Sequence, residues 1–309
     1  MAYRNIQVPL VFIIYKRPEQ TLQVFRAIRE VKPIKLYVIA DGPKNHDDAP
    51  KCYQTQKIID TIDWECDVKK NFSETNLGLR NRVVSGLDWV FEQEETAIIL
   101  EDDCLPDTSF FYYCEDLLER YKNDTRIGII SGDLFIKGQE YENSYYFSNF
   151  PHIWGWATWK RTWENYDSSM KEWPRFRNLR WLTEKTGSEY YSRMWLNIFN
   201  SVHQQEIDTW AYQVVFMLWT QSQFSIAPNR NLVSNIGFGA DGTHTKNASD
   251  MLSLIPTEKM VFPLVHPQMI CRDLDNDLLE SRAIFGSSIS IPKKFINKIK
   301  KIFGRLFNV

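Results

Sequence analysis

The tripeptide Glu101-Asp102-Asp103 follows the apolar run Ala97-Ile98-Ile99-Leu100 and is closed by Cys104-Leu105-Pro106. An aliphatic, β-branched stretch of this length reads as a buried strand, and the carboxyl end of such a strand is where open α/β sheets bind ligands. Three adjacent carboxylates repel one another and resist desolvation, so a cation among them makes the cluster stable. The chemistry this suits is departure of a diphosphate. A hard divalent cation, Mn2+ or Mg2+, held by one carboxylate and two phosphates neutralises the charge that develops as the leaving group departs. An acidic surface turn is the plainer reading of the same residues.

Other residues have the types a nucleotide site needs. Asp41, in Ala40-Asp41-Gly42-Pro43, is placed to accept hydrogen bonds from a base or ribose, or simply opens an Asp-Gly-Pro turn. In Asn76-Leu77-Gly78-Leu79-Arg80-Asn81-Arg82, a positive helix start and two arginines suit a phosphate, with ordinary surface arginines as the alternative. The loop Tyr15-Lys16-Arg17-Pro18 contains no G-x-G-x-x-G, and no phosphate-binding P-loop is present. A nicotinamide dehydrogenase is thereby disfavoured, because it needs those glycines for close approach to a pyrophosphate. Late in the chain, Gly237, Gly239 and Gly242 precede His244, which reads as a closing lid or as a surface loop with an idle histidine.

The elements that must position these groups are legible as alternating strand and helix. Residues 8–14 and Lys35–Ala40 read as strands, with a helix over Pro18–Val31 between them carrying Leu22, Phe25 and Ile28 on one face. Helices are expected over 51–62, from Asn76-Leu77-Gly78 onward with Leu79, Val83, Leu87 and Val90 in register, and through Phe110 to Tyr121. A further strand covers 127–130. This order predicts an α/β fold with a mostly parallel, doubly wound sheet in residues 1–135. From 136 to 285 the chain turns aromatic, with nine of the eleven tryptophans between Trp154 and Trp219. Large rings filling a second core is one reading, and rings stacked on sugars is the other. Trp154-Gly155-Trp156 is dense enough to predict that not all of its rings are buried.

In their order, Val-Phe-Ile-Ile-Tyr-Lys-Arg-Pro (11–18), Ala-Asp-Gly-Pro (40–43), Asn-Leu-Gly-Leu (76–79) and Ile-Leu-Glu-Asp-Asp (99–103) resemble glycosyltransferases of the GT-A fold. The resemblance is to the N-acetylglucosaminyltransferase I type, which also writes its D-x-D element as Glu-Asp-Asp, and it extends over about residues 8–246. It implies a metal-dependent, inverting transfer of a hexosyl or N-acetylhexosaminyl group from a nucleotide-diphosphate sugar such as a UDP-sugar. Asp103 would then be the direct metal ligand, Asp102 would reach the ribose, and Glu101 would contact the transferred sugar. Asp41 would read the base, with Arg17, Asn76, Arg80 and His244 also on the donor and Trp154 and Trp156 on the acceptor. Asp208, in Asp208-Thr209-Trp210, would be the general base, since an inverting transfer needs a carboxylate opposite the leaving group. Asp208 as a helix N-cap is the competing reading, and Asp241 and Glu206 are alternative bases. A non-catalytic carbohydrate-binding or scaffold protein on the same fold is the rival to the enzyme.

Composition bounds the setting. With 309 residues, 43% of them hydrophobic and 14% aromatic, the chain can bury a large core. Five cysteines without a C-x-x-C pair argue against a disulfide framework or zinc site, so reduced thiols in a cytoplasm are expected. No apolar run reaches the roughly 18 residues a spanning helix needs, and no signal peptide or secretory stem of the resembled family is seen. Six of the 37 basic residues lie beyond Pro292, and the remaining 31 face 39 acidic ones, a balance of about −8 for the body, which speaks against nucleic acid. Within 286–309, Phe295, Ile299, Ile302, Phe303 and Leu306 alternate with Lys293, Lys294, Lys298, Lys300 and Lys301. That is the pattern of an amphipathic helix lying on an anionic membrane, where a lipid-linked saccharide acceptor would be confined; a solvated or domain-packed terminal helix is the alternative.

Overall fold

A computed structural model of the chain describes residues 5–136, 139, 141–237 and 255–286. The strands are β1 (Leu10–Ile14), β2 (Lys35–Ala40), β3 (Asp67–Phe72), β4 (Thr96–Glu101), β5 (Cys104–Pro106), β6 (Ile127–Ser131), β7 (Tyr145–Ser148), β8 (Trp156–Trp159), β9 (Phe224–Pro228) and β10 (Val233–Asn235). The helices are α1 (Pro18–Val31), α2 (Ala49–Ile58), α3 (Leu79–Phe91), α4 (Ser109–Arg120), α5 (Lys160–Trp163), α6 (Trp173–Phe176), α7 (Leu179–Thr186), α8 (Glu189–His203), α9 (Ala211–Thr220) and α10 (Leu274–Phe285).

Eight strands form one sheet in the order β3-β2-β1-β4-β8-β6-β9-β7, and β10 pairs with β5 in a separate ribbon. The expected α/β architecture is observed: β3, β2, β1 and β4 run parallel, as do β6 and β9, while β8 and β7 run antiparallel to their neighbours. β1 is entirely buried because strands flank both its edges and helices cover the sheet, which is why Leu-Val-Phe-Ile-Ile shows no polar alternation. From β1 the chain winds outward to β2 and β3, then returns to place β4 on the other side of β1. That reversal opens a crevice at the carboxyl ends of β1 and β4, the topological switch point of such a sheet.

Several expectations needed adjustment. The helix expected over 51–62 begins earlier, at Ala49, and gives way to a single 3-10 turn over Ile59–Thr61. Asp67-Val68-Lys69-Lys70-Asn71-Phe72 is an edge strand whose lysines kept its weak apolar signal hidden. The sheet does not stop near residue 135, because β8 inserts between β4 and β6. The tryptophans are mostly core: Trp154, Trp156 and Trp159 are 3%, 1% and 3% exposed, which corrects the expectation that the dense 154–159 segment leaves rings outside. β8 carries Trp156 between two neighbouring strands, and Trp195 meets Trp219 edge-on at 5.1 Å among α8 and α9. Among the described residues, no helix is long and apolar enough to cross a membrane.

Candidate active site

The crevice at the switch point is a cleft of about 840 Å³, within the size range of small-molecule sites. Its walls come from the ends of β1 and β4, the turn after β2, the start of α3, and the 206–208 segment before α9. Each wall has a local cause. Pro18 at the first turn of α1 fixes the chain where β1 ends, so Tyr15, Lys16 and Arg17 turn into the cleft. Gly78, at φ +79, allows the sharp entry into α3, a conformation that side chains with a Cβ resist.

The acidic triplet lies at the floor, with Glu101, Asp102 and Asp103 8%, 6% and 0% exposed. The Tyr15 backbone N–H donates to Asp102 Oδ2 at 3.0 Å, continuing the β1–β4 pairing through a side chain. Arg17 Nη1 donates to Asp103 Oδ2 at 2.6 Å and stands 3.5 Å from Asp102 Oδ1. Burial pushes the Asp102 carboxyl up to about 6, against the opposing pull of Arg17 and with a further rise from Asp103. The three carboxylates in turn hold the Arg17 guanidinium protonated despite its own burial. The β5–β10 ribbon closes the far side: a Cβ on Gly237 would fall 2.2 Å from Asp103 Oδ2, so a side chain there would have to displace that carboxylate.

Asp41 is 6% exposed and serves chiefly as a clamp in this conformation. Its oxygens accept from the backbone N–H groups of Gly42, Leu77 and Gly78 and from Asn76 Nδ2, at 2.9 to 3.1 Å. Burial raises its carboxyl above the ordinary value, and the backbone donors pull it back. Asn76 Nδ2 also reaches the Gly42 carbonyl at 2.9 Å and the Tyr15 hydroxyl at 3.2 Å. The same hydroxyl donates to Asp48 Oδ2, and Lys16 Nζ pairs with Asp48 Oδ1 at 2.8 Å. Asp48 and Tyr15 escaped the sequence reading, since nothing local links residues 33 apart. Exposed Lys44 and Lys51 complete a basic rim with Lys16. Arg82 also lines the cleft but is 5% exposed and donates to the Asn71 carbonyl, so the structure gives it a packing task.

On the opposite wall, Asp208 is 62% exposed at its side chain and lies 3.4 Å from Arg80 Nε. It does not cap α9: the Thr209 hydroxyl accepts the Ala211 N–H, leaving Asp208 turned to the cleft. Glu206, the alternative base, lines the same wall and accepts a hydrogen bond from the Ser201 hydroxyl. The structure therefore gathers Glu101, Asp102, Arg17, Asp41, Asn76 and Asp208 around one cleft, with Asp103 beneath and Arg80 behind Asp208. It does not bring Trp154 or Trp156 there; Phe135 lies edge-on to Trp154, and Trp210 stacks on Trp156 at 5.9 Å. His244, Asp241 and the lysines 293, 294, 298, 300 and 301 lie outside the described residues.

As to a divalent cation, the triplet supplies hard carboxylate oxygens of the kind Mg2+ and Mn2+ prefer. Among the described residues no group of three or more His, Cys, Asp or Glu side chains is arranged to hold a metal by itself. One carboxylate sharing a cation with a ligand's phosphates fits this donor set better than a closed protein cage does.

No protein-family model matches the chain, and no curated protein matches it. Among solved structures it is similar to the mannosyltransferase PcManGT from Pyrobaculum calidifontis in complex with GDP-Man and Mn2+. That match has 14% identity and a TM-score of 0.37, over 53% of this chain and 47% of that one. It is also similar to S. aureus TarS 1–349, with 10% identity and a TM-score of 0.38 over 52% of this chain and 49% of that one. UDP-glucose pyrophosphorylase complexed with UDP-glucose gives 10% identity and a TM-score of 0.33, over 52% of this chain and 78% of that one. The chain thus spans about half the length of the first two. Likenesses at these scores leave the reading of the site to its own geometry.

Proposed function

We propose that this protein is a glycosyltransferase that moves a hexosyl or N-acetylhexosaminyl group from a nucleotide-diphosphate sugar to a saccharide acceptor, with inversion. The observation that carries the reading is the cleft at the β1/β4 switch point. It has a buried acidic triplet on its floor, basic groups at its rim, and a carboxylate on the opposite wall. In this reading the turns at Asp41 and Asn76, joined by their hydrogen bond on the cleft wall, would receive the nucleoside. Asp102 and Glu101 face the space where ribose and sugar would lie, and Asp103 would share a Mn2+ or Mg2+ ion with the diphosphate. The cation would supply Lewis-acid stabilisation of the departing diphosphate. Asp208 would take the proton of the acceptor hydroxyl, since it is water-facing and not consumed in capping a helix. In the same proposal the basic segment beyond Pro292 docks on an anionic membrane that carries the acceptor.

The test is a thermal-shift screen of nucleotide sugars with Mn2+, followed by measurement of nucleoside diphosphate release with and without saccharide acceptors. A raised melting temperature with one donor class and acceptor-dependent release are expected. Glycan binding with no nucleotide-sugar shift and no release would instead identify a carbohydrate-binding protein on this fold.

A further inference from the structure

The pair between Arg17 and Asp103 makes a demand on any cation that enters the site. Asp103 is fully buried, its Oδ1 lies 3.6 Å from the Cys104 thiol, and its Oδ2 carries the 2.6 Å bond from Arg17 with Gly237 packed on the same atom. Little of the carboxylate is left to approach except along the line Arg17 holds. A dication and a guanidinium that share one carboxylate oxygen in a low-dielectric pocket repel strongly, so one must yield. Arg17 has somewhere to go. Its side chain remains 17% exposed and lines the cleft, and a guanidinium binds paired phosphate oxygens at least as well as a carboxylate.

We infer that Arg17 is an exchangeable counter-ion of the acidic triplet, held on Asp103 until a nucleoside diphosphate draws it away. Resting on the donor-site reading above, this makes binding of the divalent cation and of the diphosphate mutually reinforcing through a single side chain. Asp103 never faces a buried, uncompensated charge, since the guanidinium leaves only as a dication takes its place. The diphosphate gains a bidentate partner in the same exchange. By linkage, whatever factor the diphosphate adds to cation affinity the cation returns to diphosphate affinity.

The experiment measures Mn2+ alone binding to the full chain with no nucleotide present, following free Mn2+ by electron paramagnetic resonance. Wild type, Arg17→Lys and Arg17→Gln are compared. Removing the competing charge in Arg17→Gln should tighten Mn2+ binding by at least about tenfold. Arg17→Lys, which keeps the charge, should stay close to wild type. Wild-type protein that binds Mn2+ as tightly as Arg17→Gln, or Arg17→Lys that matches Arg17→Gln, would overturn the inference.

Arg17→Gln removes the cation beside Asp103 and could fail to fold, so a wild-type measurement stands beside it. In nitrogen-15 spectra of the arginine side chains, the Arg17 resonance should stay in place with Mg2+ alone and move when Mg2+ is added together with UDP or GDP. Movement with Mg2+ alone, or none with Mg2+ and either nucleoside diphosphate, would sink the exchange. Both readouts are made without a sugar nucleotide, so they succeed or fail independently of the donor screen.

Discussion

Asp208 and Gly237 show how much the site depends on single residues. Asp208 touches no backbone cap and pairs only loosely with Arg80, so its carboxylate is available for proton transfer. Asp208→Asn should lower kcat by about 10²- to 10⁴-fold while leaving the donor-induced thermal shift intact. Steady-state transfer and the melting curve read the two separately, and near-normal turnover would move the base to Glu206 or Asp241. Gly237 acts through space alone. A methyl there would collide with Asp103 Oδ2, so Gly237→Ala should displace the carboxylate and cut transfer by about 10²-fold. Unchanged transfer by that variant would mean that the position of Asp103 does not matter to the reaction. Both residues could be read from the sequence as types, a carboxylate before a helix and a glycine in a glycine-rich run. The contact that makes Gly237 necessary spans more than a hundred residues and left no local trace.

At the scale of elements, Asp41 ties the loop between β3 and α3 to the end of β2. Asp41 accepts three backbone N–H groups, two of them from the Leu77-Gly78 entry to α3. Asp41→Asn replaces one acceptor oxygen with a donor and orphans part of that set, which should cost about 2–4 kcal/mol in urea unfolding. A loss within experimental error would show that the loop is held by packing instead.

A second element carries buried titratable groups. Helix α10 carries Asp277 and Glu280, both 0% exposed, and Glu280 Oε2 lies 3.4 Å from His152 Nε2, whose Nδ1 stands 3.6 Å from Asp133 Oδ2. Burial raises the Asp133 and Glu280 carboxyls well above their ordinary values and pushes His152 down to about 4. Carboxyls that hold their protons more tightly when folded stabilise the fold at low pH and lose that contribution as pH rises through the folded value. Depressed His152 acts with the opposite sign, its contribution falling as pH drops from its unfolded value near 6.5 towards 4. The double variant Asp133→Asn/Glu280→Gln should therefore lose less stability than wild type as pH rises above the carboxylate range. Parallel melting-temperature profiles for the two proteins would refute this. The sequence showed Asp277 and Glu280 only as charges on a helix; their burial against β7 and the 149–153 segment is a tertiary fact.

For the molecule as a whole, the decisive feature is that one sheet unites the early and late parts of the chain. β8 pairs with β4 on one edge and β6 on the other, so residues 156–159 complete a sheet that residues 10–131 begin. A fragment of residues 1–135 would leave the edges of β4 and β6 unpaired and the tryptophan-rich packing absent. It should show no cooperative melting transition by circular dichroism, while residues 1–286 should unfold cooperatively. A sharp melt from the short fragment would establish an independent nucleotide-binding unit.

The sequence by itself determined the α/β class, β1, β2, β4 and β6 with the helices between them, and the acidic triplet at a strand end. Those features rest on local apolar periodicity and on carboxylates adjacent in the chain, which a linear reading detects. Tertiary structure alone decided that the chain winds outward from β1 to β3 on one side and that β8 returns between β4 and β6 on the other, because strand order depends on pairing between distant segments. It also decided that Arg17 pairs with Asp103, and that Trp154 and Trp156 are core. An aromatic ring carries the same apolar signal whether it faces a sugar or another ring, and only the packing around it settles which.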